Sequence, residues 1–265
     1  MRKFIKYLLL LCAAAWFTFF VFQKLNPQLR KSTGSPLPGD EFNPAMERLQ
    51  SLDDFISYAD SAAADSGFYA FNDKGDYPLL ISRLIKYRFY HGFSYYSYSD
   101  NIIAYLAGKL LWDDFAAIVV PDDILRFNNA ACSQQSIIFM EILKRKGFSV
   151  RSVYLRGHFA AEIRYNGKWH FFDTNLEPKF SRLTERPGIE ELVLNKAILY
   201  EAYKSTRGNA MIDSIFSQHR LSGVNNFPAR KMYLFQRSAF YFSTYGWVLL
   251  IIIAFYYSLK IRNRQ

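Results

Sequence analysis

"NNAACSQQSIIFMEILKRKG", residues 128–147, decides how the rest of the chain is read. Ile138 and Ile142, with Phe139 and Leu143, make i,i+4 pairs on adjoining rows, so the stretch predicts a helix burying one face. Lys144, Arg145 and Lys146 suit its last turn, where cations complement the helix dipole. Gly147 suits the left-handed position just past the end. The helix therefore begins at or just after Cys132. That places one of only two cysteines in 265 residues at a helix N-terminus, where backbone N–H groups stabilise a thiolate.

The next thirty residues read as sheet. "FSVRSVYL" (148–155) is strand-like by its valines and aromatics, and "HFAAEIRYNGKWHFFDTN" (158–175) holds Asn166-Gly167, a strong two-residue hairpin signal. With that pair as the loop, Tyr165 lies opposite Lys168 and paired residue numbers sum to a constant. Ala160 then faces Asp173, and His158 faces Asn175. His158 and Asp173 project from one face as diagonal neighbours, about 7–8 Å apart at the backbone and within side-chain reach. His170, three residues from Asp173, points to the other face.

Chemistry gives the trio a reason. A thiol with an ordinary pKa near 8.5 is a poor nucleophile at neutral pH until something stabilises its thiolate. A helix N-terminus and a protonated imidazole do so together. Asp173 would fix the ring's tautomer and orientation, and the backbone N–H of Cys132 would donate to an oxyanion. Taken alone, Cys132 reads better as a buried structural thiol, a common fate of free cysteine; its spacing to His158 and Asp173 reverses that reading. The three side chains fall one donor short of a structural zinc site, so no metal or other cofactor is expected.

The run "ACSQQSIIFMEILKRKGFSVRSVYL", then "HFAAEI", then "NGKWHFFDT", resembles the transglutaminase-like superfamily. The likeness covers about residues 100–178, including the approach "PDDILRFNNA". Cys132 matches that family's helix-start nucleophile, Gly147 the glycine after the helix, His158 the histidine leading a strand, and Trp169 and Asp173 the Trp and Asp of the next strand. Three features depart from the pattern. Ala131 stands where Gly is common, Ala160 where an aromatic is common, and "DTNLEP" is looser than the usual turn. The resemblance implies an α+β, papain-like core, a Cys-bearing helix packed on an antiparallel sheet. It also implies a Cys132-His158-Asp173 triad acting through a thioester, in a hydrolase or an acyltransferase. A catalytically inactive scaffold holding a partner in an envelope assembly is the alternative.

Two apolar runs flank this domain. Ser238–Leu259 is uncharged and meets the roughly 20 residues that a bilayer core demands, while Tyr7–Gln23 lies near the lower limit of about 17. The apolar run passes beyond the small residues of "CAAAW", which favours a retained anchor over a cleaved signal peptide, with Cys12 a small hydrophobe inside it. Basic residues flank both ends of both spans almost equally. Short basic termini remain behind more readily than long domains, so the termini are expected in the cytoplasm and the domain outside it. The net charge of +10 falls to +4 (27 basic, 23 acidic) once six basic residues before 24 and after 237 are set aside. Such a balance is no nucleic-acid footprint. The expected partners are instead the membrane, a peptide or protein substrate, and envelope-assembly proteins.

The chain is thus expected to comprise an anchor (1–23), a Pro/Gly-rich tether (24–44), a transglutaminase-like domain (45–237), and a second span with a basic tail (238–265). A helix is predicted from Asn43 as N-cap and Pro44 onward, others at Leu79–Tyr90, Ile102–Phe115 and Gly188 to about Arg220, and an aromatic loop at 90–101. Trp169 and Phe171 are read as core residues on the face behind the site. Glu162 is read as ion-paired on that same face, and Asn128 and Asn129 as turn or capping residues. His91 and His219 carry no motif.

Overall fold

The computed structural model describes residues 2–25, 34–36, 40–65, 76–180, 186–204 and 208–262. Most of the tether read at 24–44, and the end of the basic tail, lie outside these residues. The helices are α1 (Arg2–Leu25), α2 (Leu52–Asp65), α3 (Asp76–Arg88), α4 (Ile102–Leu110), α5 (Pro121–Ile124), α6 (Cys132–Arg145), α7 (Ile189–Leu194), α8 (Lys196–Tyr203), α9 (Asn209–Phe216) and α10 (Arg230–Arg262). The strands are β1 (Tyr90–His91), β2 (Asn129–Ala130), β3 (Ser149–Leu155), β4 (His158–Tyr165), β5 (Lys168–Phe172) and β6 (His219–Leu221). The fold is α+β. Its main sheet is antiparallel in the order β5-β4-β3-β6, and β1 and β2 form a short parallel pair.

The chain divides into two compact units. One holds Ser32–Ser94 and Val119–Arg230, the other Met1–Lys31, Tyr95–Ile118 and Lys231–Gln265. This division departs from the boundaries drawn on the sequence, which gave 95–118 to the domain rather than to the apolar helices.

In the first unit α6 is the organising element. Ile138, Phe139, Ile142 and Leu143 are all fully buried, each contributing roughly 1.5–3 kcal/mol over leaving it in water. Phe139 packs on Phe172 of β5 with ring centroids 5.3 Å apart. The helix closes as its sequence predicts: Gly147 takes φ +86, its N–H donates to Lys144 O at 3.0 Å and Phe148 N–H to Leu143 O at 3.0 Å, a Schellman closure. The opposite face of the sheet carries Val153, Leu155, Ala160 and Phe171, which join the buried faces of α7, α8 and α9 in one core.

The β4–β5 turn is the one expected, with Asn166 at φ 48 and Gly167 at φ 78, both in the left-handed region that a type I′ hairpin requires. Its register places Tyr165 opposite Lys168 and Ala161 opposite Phe172. Elsewhere the sequence reading needs correction. Asn43 does cap a helix, its Oδ1 accepting from Ala45 N–H at 3.0 Å. That helix is a 3-10 turn ending at Arg48, however, and α2 starts separately at Leu52. Among the described residues, the segment from Gly188 to Arg220 holds three short helices, and it ends in the unforeseen edge strand β6.

Among the described residues, two helices are long and apolar enough to cross a membrane, Phe4–Val21 within α1 and Arg230–Lys260 within α10, and they belong to the second unit. Their apolar side chains point outward rather than into a core; Phe4, Ile252, Phe255 and Tyr256 are all exposed. The helices also meet each other. Trp16 Nε1 donates to Ser243 O at 2.9 Å, and its ring lies where a Cβ on Gly246 would fall, at 2.6 Å. Phe17 packs edge-on against Trp247 at 4.9 Å.

Candidate active site

β3 and β4 are joined through Arg156 and Gly157, with Gly157 at φ 68, so that Leu155 pairs with His158. The turn puts His158 at the first position of β4, at the end of the sheet. The thiol of Cys132, half-buried at the first residue of α6, lies within hydrogen-bonding reach of that imidazole. On the other side of the ring, His158 Nε2 meets Asp173 Oδ2 at 2.7 Å. That contact leaves Nδ1 for the sulfur. The structure thus brings together the three side chains that the sequence singled out.

Asp173 is fully enclosed and its acceptors are saturated. Oδ2 takes His158 and the Tyr203 hydroxyl, the latter at 3.1 Å. Oδ1 accepts the backbone N–H groups of Asn175 at 3.2 Å and Leu176 at 3.0 Å, which closes the chain into a turn just beyond β5. Burial by itself would favour the neutral acid. His158, the Leu176 N–H and the Tyr203 hydroxyl outweigh it and hold the carboxyl below its ordinary range. Burial likewise disfavours a charged imidazole, but the Asp173 carboxylate, its hydrogen bond and the Cys132 sulfur raise His158 to about 10. With side chains only 7% and 1% exposed, the pair exchanges little of this field with solvent.

Tyr203, on α8, carries no motif and was not singled out in the sequence. Burial, with Asp173 and Glu177 nearby, keeps its phenol protonated well past the usual range. It therefore stands as a permanent donor to the carboxylate. A hydrogen bond to a charged group contributes about 1.5–3 kcal/mol. Tyr203→Phe keeps the ring in the core and should lower unfolding free energy by about 2 kcal/mol, measurable by urea titration. A second buried carboxylate lies close behind: Glu177 accepts from Ser82 Oγ and from Arg186, each at 2.5 Å. Arg186 also reaches Phe171 O at 2.7 Å, so this cluster braces the strand that leads into Asp173.

The N-terminus of α6 has no side-chain cap, because Ala131 occupies the N-cap position. Instead Gln134 folds back, its Oε1 accepting from Ala131 N–H at 3.1 Å and Ser94 N–H at 3.0 Å, and its Nε2 donating to Ser94 O at 2.9 Å. Ser, Thr or Asp at Ala131 would place an acceptor on the first-turn N–H groups. Alanine places no side-chain acceptor there.

Glu162 is ion-paired, to Arg151 at 2.6 Å, and accepts the Ile189 N–H at 2.7 Å. Yet Glu162 pairs directly with Phe171, and Arg164 with Trp169. Direct partners share a face, so these residues extend the row of His158 and Asp173 and do not lie behind it. Phe171 is fully buried in the core under α7–α9. Trp169 is half-buried beneath the Arg151 guanidinium at 4.3 Å. His170 serves structure, stacking on Tyr165 and bridging Arg186 O at 2.7 Å. Neither asparagine before the nucleophile caps a helix: Asn128 accepts from Arg88, and Asn129 donates to Phe93 O at 2.7 Å. His91 pairs with Asn175 at 3.0 Å, and His219 is exposed on β6. Compared with known proteins, the chain matches no family model, no curated protein and no solved structure.

Proposed function

We propose that this chain is a membrane-anchored cysteine acyl-transfer enzyme with a transglutaminase-like, papain-type core. One observation carries the reading: a thiol at an uncapped helix start faces an imidazole whose far nitrogen is held by a buried, fully bonded carboxylate. His158 as imidazolium stabilises the Cys132 thiolate. The sulfur attacks an amide or ester carbonyl, and the oxygen takes the electron pair beside the Cys132 N–H. Collapse breaks the C–N or C–O bond, and His158 gives its proton to the departing amine or alkoxide. Water or an amine, deprotonated by His158, then attacks the thioester and releases the sulfur. Nothing in this sequence of steps requires a metal or an organic cofactor.

The two apolar helices support association with a membrane; the proposed sidedness, termini cytoplasmic and catalytic unit outside, rests on the short basic termini, and the proposed substrate is a peptide or protein of the cell envelope. The Trp16 contacts with Ser243 and Gly246 support retention of α1 as an anchor, since a cleaved segment has no use for a matched partner. 4-Nitrophenyl acetate tests the chemistry without knowledge of the natural substrate. The expected result is a burst of one equivalent of nitrophenolate and a hydroxylamine-labile acetyl group on Cys132, absent in Cys132→Ala. A chain that shows no burst is the inactive scaffold instead.

A further inference from the structure

We infer that residues 102–115 form a wedge seated in the lipid headgroup region on the same end of α10 as the catalytic unit's connection. The apolar surface is unusual for a soluble segment. Leu110, Leu111 and Trp112 are 77%, 76% and 63% exposed, and Leu106, one turn before Leu110, is 45% exposed. These residues are outward because the wedge is packed from within. A Cβ on Gly108 would fall 2.5 Å from that of Ala116, so the missing side chain lets the 3-10 turn Asp113–Phe115 fold back onto α4.

The occupant is set by where the wedge is tied. Asn101 Nδ2 donates to Gln236 O at 3.0 Å, and Gln236 Nε2 donates to Ala117 O at 2.7 Å. Ile103 N–H reaches Ser243 Oγ at 3.3 Å, and Phe115 packs on Phe235 at 5.1 Å. All these anchors lie between residues 235 and 243 of α10. The helix itself marks the bilayer boundary there. Arg237 lies over the Tyr241 ring at 5.3 Å and bonds its hydroxyl at 3.0 Å, while Lys260 lies 5.8 Å over Tyr256 at the other end. Cation–aromatic pairs of this kind belong to the interface. At 1.5 Å per residue, positions 237 and 260 are about 35 Å apart, enough to bracket a hydrocarbon core about 30 Å thick. The wedge is therefore held at the upper boundary, where an apolar face sinks about 5–10 Å between headgroups. Asp113 and Asp114, both exposed, form its polar edge.

Fluorescence of the full chain in phosphatidylcholine vesicles tests the placement. Lipids brominated near the top of the acyl chain should remove the greater part of the emission that Trp112→Phe also removes, while aqueous iodide leaves that component unchanged. A Leu111→Trp reporter in the Trp112→Phe background should behave the same way and guards against a local effect of one ring. Quenching by iodide and not by brominated lipid overturns the inference. So does quenching by neither, which would mean that protein, including a second copy, covers the wedge.

Discussion

Asp173→Asn should slow formation of the acetyl-enzyme by about 10³–10⁴-fold while leaving Cys132 and the fold in place. The reason lies in how the carboxylate is bonded. Its Oδ1 accepts two backbone N–H groups, from Asn175 and Leu176, so an asparagine must put its carbonyl oxygen there. The amide NH₂ then occupies the Oδ2 position and points donors at His158 Nε2 and at the Tyr203 oxygen. Nε2 becomes an acceptor, the ring proton moves to Nδ1, and the nitrogen facing the sulfur can no longer take a proton. Geometry survives and catalysis does not. A rate within tenfold of the native chain would show that the aspartate does not set the tautomer.

The same pair fixes a pH window for stability. His158 is raised to about 10, so its contribution is complete below the ordinary imidazole value near 6.5 and fades as pH climbs through 10. Asp173 is lowered, so its contribution is complete above about 3.9 and fades as pH falls through its folded value. The gap in thermal midpoint between native chain and Asp173→Asn should be widest between about pH 4 and 6.5.

Much of this site was legible because it is local. A helix start, a two-residue turn and a parity rule place Cys132, His158 and Asp173 without any tertiary knowledge, since each depends on spacing that the backbone enforces. What parity predicts correctly it can also be misapplied to: Glu162 and Phe171 are direct partners, and the same counting that paired His158 with Asp173 puts them on one face. Tyr203 was illegible for a different reason. It reaches Asp173 from a helix about thirty residues on, and nothing in "KAILYEAY" distinguishes a phenol aimed at a carboxylate from one that merely packs. β6 was hidden because side chains finish its ladder. Ser222 Oγ and Asn225 Oδ1 accept the N–H groups of Ser152 and Val150, at 2.9 and 3.0 Å, so no alternating run is needed. The grouping of 95–118 with the apolar helices was equally out of reach, since composition does not tell an apolar side chain that meets lipid from one that meets a core.

At pH 5 iodoacetamide should alkylate Cys132 tens of times faster in the native chain than in His158→Gln, and the ratio should shrink toward one by about pH 9. A protonated imidazole beside a thiol favours the reactive thiolate, and His158→Gln removes that charge. A stabilised thiolate is also a weaker nucleophile, which takes back part of the gain and leaves tens of fold rather than thousands. His158 keeps its proton until pH approaches 10, so the native rate should stay flat across the neutral range. The variant, without that charge beside the sulfur, should instead rise with pH. Cys12 lies in the apolar face of α1, and a Cys12→Ser background removes its signal from both arms. If native and variant rates climb together with the slope of a free thiol, the imidazole is not holding the sulfur ionised, and the fold carries a binding groove where a nucleophile was expected.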